Sequence, residues 1–470
     1  MREGQSEIGT CIGLAWRCWA ALTGLFVVFS SVALAVGGWN TLKRCVQTDG
    51  LSISAQTLAC AGFVWLTVGG ALFLSREAGF RSRYGWPVVL AGLLLVLYLN
   101  ILRERPHYAD VQDYVQGAFD LSAGAPFHIR YLYPPLLAVL CQPFLFLGHD
   151  GLAAMLWCLN WVGLVLFFIL LTKALEAYGV GPRVACVGVF LFMLVNVPVL
   201  RTLSFVQVNF HMMNLILLAL LLFPRHRLLS ALMLALAVHL KASPLLIALP
   251  FLCLGDRRWL LSFAVSGCGL AAVIYLLFGP EPFTSFLANA KAIYTANGVS
   301  FRENSIDALV RTAAIALRRD GTALVPYIKW PVLVALAGLV VYSMRVRMWS
   351  ERTDPMGRIL NGLPLSLLLM VYASPLVWEH HFVFLAVPFL LVLRKIATAP
   401  EWVAFGAAYV SVYWMPTFDF YPWSFCRLAG SAVLLVLALR LTLRGDASWL
   451  RAVGQGISCN GNGGPPAKRE

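Results

Sequence analysis

The chain has 470 residues, 60% of them hydrophobic and 12% charged, with a mean hydropathy of +0.77. An ordinary soluble domain carries about a quarter of its residues as charges, so a soluble enzyme is excluded and an integral membrane protein is implied. The formal net charge of +14 sits mostly on arginines in short loops, which reads as orientation in the membrane and not as nucleic-acid binding.

Apolar runs near the roughly 20 residues that cross ~30 Å of hydrocarbon recur along the chain and predict an all-α, polytopic membrane protein with about 12–14 transmembrane helices. The first run, 18–38, lacks a cleavage signature and reads as a retained span. Spans follow at 57–75, 85–103, 152–173, 184–200 and 208–223, at 227–254 as two short helices, and at 259–279, 326–348, 358–374, 380–395, 401–417 and 424–443. Residues 1–84 form a two-span extension, 85–445 the main module, and 446–470, with Asn-Gly-Asn-Gly-Gly-Pro-Pro, a disordered cytoplasmic tail. Eleven cysteines lie largely inside apolar runs without Cys-x-x-Cys or Cys/His ligand spacing, which argues against disulfides and zinc.

The clearest interruption runs from Arg105 through Gly117 to Arg130-Tyr-Leu-Tyr-Pro134-Pro135, with three acids, Asp110, Asp113 and Asp120. As a helix it gathers Val111, Tyr114, Val115, Ala118 and Phe119 into one stripe and leaves Asp110, Gln112, Asp113, Gln116 and Asp120 off it. That is the pattern of an amphipathic helix at a membrane surface. Asp110 falls at its first turn, where an acid serves either as a helix cap or as a group facing a cavity mouth; spacing leaves both readings open.

Loop charge sets the topology. With the N-terminus inside, the loop carrying Arg76, Arg81 and Arg83 is cytoplasmic and the Asp110 stretch is outside. If Tyr131 to Leu147 spanned, the loops with Lys173 and Arg183, Arg225 and Arg227, and Arg257 and Arg258 would all face outward. Read as a juxtamembrane helix bent by Pro134, Pro135 and Pro143, it keeps those loops inside, along with Arg345 to Arg358, Arg394, Lys395 and the tail. Two long outer segments result, 104–151 and 280–325, and the second carries Lys291, Arg302, Arg311, Arg318 and Arg319, placed to meet an anionic ligand.

Polar groups inside apolar runs are informative because a charge at mid-bilayer costs about 2.5–3.5 kcal/mol. Lys241, in Ala237-Val-His239-Leu-Lys241-Ala-Ser-Pro244, either aims into a cavity where Pro244 breaks the helix or snorkels to the interface. Gln207 and Asn209 open a span with amides suited to sugar hydroxyls or to helix–helix hydrogen bonds. In Ser374-Pro375-Leu-Val-Trp378-Glu379-His380-His381, Trp378 reads as an interfacial anchor. The adjacent Glu379, His380 and His381 point in different directions, which rules out one shared metal.

Together, Asp110-x-x-x-Tyr114, Gly124-x-Pro126-Phe127, Tyr133-Pro134-Pro135-Leu136, Gln207-x-Asn209, Lys241-x-x-Pro244, Asn304-Ser305 and Ser374-Pro375-x-x-Trp378-x-His380-His381 resemble the polyprenyl-phosphate-dependent glycosyltransferases of the GT-C superfamily. The nearest branch is that of the phosphatidylinositol-mannoside α-mannosyltransferases and related arabinofuranosyltransferases, with the similarity running over residues 85–400. The resemblance implies GT-C architecture, with juxtamembrane helices in the extracytoplasmic loop around Asp110 and Asp110 as catalytic base. Lys241, His380, His381 and Arg302 are then assigned to the donor phosphate, and Tyr114, Tyr133, Gln207, Asn209, Asn304 and Glu379 to the sugar and acceptor. Val206 stands where the family pattern has Gly, and Phe127 where it has Tyr.

The expectation is a multi-pass inner-membrane glycosyltransferase moving a sugar, mannose by the branch it resembles, from a polyprenyl phosphate to an outer-face acceptor hydroxyl with inversion. A sugar phosphate already has a good leaving group, so one carboxylate suffices. The expected partners are the polyprenyl-phosphate sugar donor, a glycolipid or glycan acceptor and membrane lipids, with no nucleic acid, cofactor or metal. The rival readings are a flippase for lipid-linked sugar, which calls for inverted repeats and intramembrane charge pairs that the sequence does not display, and a non-catalytic polymer-assembly subunit.

Overall fold

The computed structural model describes residues 109–194, 196–295, 303–317, 319, 321–350, 355–413 and 423–444, with short pieces between 13 and 35 and Gly69. The expected spans at 57–75 (apart from Gly69) and 85–103, most of that at 18–38, Arg302, Arg318 and the tail 446–470 lie outside the described residues. Among the described residues there is no strand, and the protein is an all-α polytopic membrane protein.

Helix α1, Ala109–Ser122, buries the expected stripe: Val111, Tyr114, Val115 and Ala118 are inside, and Gln112 and Gln116 are exposed. Gly117 lies under the Tyr131 ring, where a Cβ would come within 2.3 Å. Gly124, at φ +65°, follows the end of the helix. Helix α2, Leu136–Cys141, continues into a 3-10 helix, Gln142–Leu147. Six residues of each reach about 20 Å, short of a bilayer core. This piece therefore does not span by itself. At Gly148, φ +70°, the chain enters α3, Gly148–Ala177, whose 30 residues extend about 45 Å.

The expected span at 184–200 is two helices, α4, Pro182–Leu194, and α5, Val197–Ser204, with the Asn196 side chain accepting from the Val199 N–H (3.1 Å) to start the second. Helix α6, Asn209–Leu222, is bent 116° from α5. After it come α7, Arg227–Leu240, a 3-10 turn at Ser243–Ile247, α8, Ala248–Leu254, and α9, Arg257–Phe278, capped by Asp256. Segment 280–325, expected as an outer loop, holds among its described residues the helices α10, Glu281–Thr295, and α11, Ile306–Ala316, ahead of the start of the next helix. The chain closes with α12, Gly321–Ser350, α13, Pro355–Ala373, a 3-10 segment Glu379–Leu385 running into α14, Ala386–Leu393, then α15, Ala399–Tyr413, and α16, Cys426–Arg444.

Five helical stretches among the described residues are long and apolar enough to cross a membrane, or six if the bent α5–α6 pair is one span. The α7–α8 and 379–393 segments are shorter, the first because Lys241 is extended and Pro244 opens a separate turn. Helix α13 is the buried centre. Outer helices show Leu261, Val265 and Leu276 of α9 and Trp330 and Val334 of α12 to the surroundings, as lipid-facing positions do.

The helix directions separate two ends. The end of α5, the start of α6, the end of α7 and the end of α13 meet at one end with α1. The basic residues around Lys173, Arg227, Arg257, Arg394 and Lys395 lie at the opposite ends of α3, α7, α9 and α14. Asn361, near the start of α13, accepts there from Tyr178 and Lys395, each at 2.7 Å.

Candidate active site

At the first end is a cavity of about 370 Å³, lined by Asp110 and Asp113 of α1, Arg130, Leu132 and Tyr133, Gln207, Lys241, Glu303, Arg311, and the strap Ser374, Leu376, Trp378, His380 and His381. Residues more than 270 positions apart in sequence converge on it, because the surface helix α1 closes over the broken ends of the bundle.

Gln207 owes its position to the break between α5 and α6. The Val206 N–H bonds Leu203 O (3.1 Å) and the Gln207 N–H reaches back to Thr202 O (2.9 Å), a Schellman helix ending. The residue at the left-handed position of that motif is Val206, φ +54°, where a β-branched side chain costs roughly 1–2 kcal/mol. The left-handed requirement explains why the resembled pattern has Gly here.

Gln207 then links three predicted residues. Its amide N–H donates to the Asp110 carboxylate, and its Oε1 accepts from the tyrosine pair, with the Tyr114 and Tyr133 hydroxyls 3.1 and 3.3 Å away and 3.0 Å from each other. Burial raises both phenols, so they stay protonated donors. Asp110 is thus engaged by a side chain from α6's lead-in, not by a first-turn cap. Burial is the largest influence on it and pushes its pKa up to about 6; the Gln207 bond, Arg130 and Lys241 pull the other way, and Asp113 adds to the rise. Asp113 faces the cavity but is bonded to His128 Nε2 (3.2 Å) and Arg130 (3.5 Å), and Asp120 takes His128 Nδ1 (3.1 Å). Those two acids pin the loop back on α1.

Lys241, extended at the end of α7, donates to Asn209 Oδ1 (3.1 Å) and lies 5.5 Å from the Phe384 ring centre. Asn209 in turn donates to His380 O (3.2 Å), so it stands one bond behind the wall. The Trp378 N–H donates to His381 Nδ1 (2.8 Å). With Nδ1 accepting, neutral His381 carries its proton on Nε2. His380 and His381 both line the cavity, their ring centres 4.4 Å apart.

Two predicted residues are turned elsewhere. Glu379 is held between Arg201 (2.9 Å) and Arg427 (3.1 Å) inside the fold. No local pattern in the sequence displays this cluster. Asn304 gives its N–H to Val377 O (2.7 Å) and ties segment 280–325 to the strap. Among the described residues no group of three His, Cys, Asp or Glu has metal-site geometry. Sequence reasoning missed Glu303, next to the Asn304-Ser305 motif, did not assign Arg130 to the site, and named Arg311 only among five basic residues placed to meet an anion.

The profile of glycosyltransferase family 87 matches residues 131–375, a little over half of the chain. The chain belongs to glycosyltransferase family 87. It is a membrane glycosyltransferase of GT-C type. The family-87 match takes in Tyr133, Gln207, Asn209, Lys241, Glu303 and Asn304 and stops short of Asp110 on one side and His380 and His381 on the other. No curated protein and no solved structure matches the chain.

Proposed function

We propose that this family-87 glycosyltransferase takes its sugar, mannose or a pentose, from a polyprenyl phosphate and delivers it to a glycan or glycolipid hydroxyl at the extracytoplasmic face. The observation that carries the reading is the meeting of one buried carboxylate, Asp110, with Lys241, His380 and His381 in a single cavity. Asp110 takes the acceptor proton as the acceptor oxygen bonds to the anomeric carbon. The bond from that carbon to the phosphate oxygen breaks with inversion, and its electron pair stays on the phosphate. Lys241 and the histidines hold that phosphate and the charge growing on it. Leu132 and Leu376 at the wall suit the first units of the lipid chain. The outward-facing site is supported by the basic loops at the other end of the bundle.

The test is transfer from a panel of radiolabelled polyprenyl-phosphate sugars in membranes holding the wild type or Asp110→Asn. One donor should be used by the wild type, and the variant should lose about 10²- to 10⁴-fold in kcat while staying folded. Full activity of the variant would sink the base assignment.

A further inference from the structure

The transfer needs one base, yet the cavity holds another buried carboxyl. Glu303 is 8% exposed and lines the wall just ahead of α11. Its neighbours in sequence are fixed, Asn304 by its N–H bond to Val377 O (2.7 Å) and Ser305 by capping Ala308 N–H (3.1 Å). The carboxyl is therefore held at the cavity beside the strap.

Charge counting gives it a task. The lining offers three acids, Asp110, Asp113 and Glu303, against three cations, Arg130, Lys241 and Arg311, with His380 and His381 beside them. Asp307, which also acts on Glu303, is paired with Lys329 (2.6 Å). Among the described lining residues, an anionic phosphate entering this wall finds no cation in excess of the acids unless one acid takes up a proton. Asp110 must stay ionised to act as base, and Asp113 is bonded to His128 and Arg130. Glu303 is the acid that remains. Burial already pushes it up to about 7, with Arg311 and the Trp378 side chain pulling down, and an arriving anion raises a neighbouring carboxyl further.

We propose that Glu303 carries a proton when the donor is bound and donates it in a hydrogen bond to a non-bridging oxygen of the donor phosphate, beside the Arg311 guanidinium. This rests on the reading of the cavity as a donor-phosphate site. During transfer the phosphate goes from a diester monoanion to a monoester dianion, while the acceptor proton moves to Asp110. The Glu303 hydrogen bond strengthens as that charge grows.

The probe is farnesyl phosphoryl-mannose, with the arabinosyl analogue beside it; each is a phosphodiester with no proton of its own to titrate near neutrality. Calorimetry of binding in two buffers of different ionisation enthalpy counts the protons taken up. Wild type and Asp110→Asn should take up close to one proton at pH 8 and far less at pH 6. Their Kd should weaken by up to about tenfold per pH unit above pH 7. Glu303→Gln, whose amide copies the protonated acid, should bind with no uptake and a flat pH profile, whereas Glu303→Ala should bind weakly at every pH. Uptake in Glu303→Gln equal to wild type, or wild-type binding without uptake, overturns the role of Glu303 and leaves the donor site standing. Binding of neither diester by the wild type overturns the donor reading itself.

Discussion

Two acids at the same end of the bundle are surrounded in opposite ways. Glu379 is clasped by two guanidinium groups, from Arg201 of α5 and Arg427 of α16, and Arg427 is fully buried. Asp110 receives its hydrogen bond from a neutral amide, Gln207, and feels Arg130 and Lys241 through space. The first arrangement uses up the carboxylate in holding the strap on which His380 and His381 ride. The second leaves an oxygen free for a proton and keeps the pKa near the value a base needs at physiological pH. On the proposed reading of Asp110 as the base, burial alone does not separate a structural acid from a chemical one; the charge of its partner does.

The sharpest way to break the comparison is at Glu379. Glu379→Ala leaves two guanidinium groups facing each other without an anion, a loss of about 3–5 kcal/mol when a buried pair is broken. The expected result is a marked fall in the unfolding midpoint in detergent, and unchanged stability would show that the strap is held by other means.

Asp110 should behave in the reverse sense. Its native pKa of about 6 lies above the ~3.9 of an unfolded chain, so the native state holds this proton more tightly. The corresponding stability is fully present below pH ~4 and is lost as pH rises through about 6. Asp110→Asn should therefore gain roughly 1–2 kcal/mol relative to the wild type between pH 5 and pH 8, the share of the full linkage that falls in that window. Activity has its own signature. In the wild type kcat/KM should fall about tenfold per pH unit below pH 6, as the base is protonated. Thermal melts and pH–rate profiles in the same detergent would test both, and a variant less stable at pH 8 than at pH 5, relative to wild type, would contradict the desolvated state of Asp110.

How these two acids differ was only partly legible in the sequence. Apolar runs placed α3, α6, α9, α12, α13 and α16 to within a few residues, because length in hydrocarbon is a strong constraint. The stripe Val111, Tyr114, Val115 and Ala118 gave α1 by period. Asp110, Tyr133, Gln207, Lys241, His380 and His381 came together as read. Glu379 was misplaced because its two partners come from α5 and α16, and no local pattern announces a pairing between such distant elements. Glu303 was overlooked because an acid in a polar segment has no apolar background to stand out against. The Val206 ending was visible only as a departure from a pattern; its left-handed backbone appears once the α5–α6 bend is seen.

Lys241 gives the finest discrimination, because its two readings predict different kinetics. If it only packs, its aliphatic stem matters and its charge does not. If it holds the donor phosphate, the charge matters and the stem is a tether. Lys241→Met keeps the stem and removes the ammonium, freeing Asn209 Oδ1 from its 3.1 Å contact. A hydrogen bond to a charged group is worth about 1.5–3 kcal/mol, so the donor KM should rise about 10- to 100-fold. The acceptor KM should change far less, since the Gln207 bond to Asp110 is kept and only the through-space pull of Lys241 on that carboxylate is lost. An unchanged donor KM would place Lys241 with the packing residues and leave Arg311, backed by the proton on Glu303, to hold the phosphate.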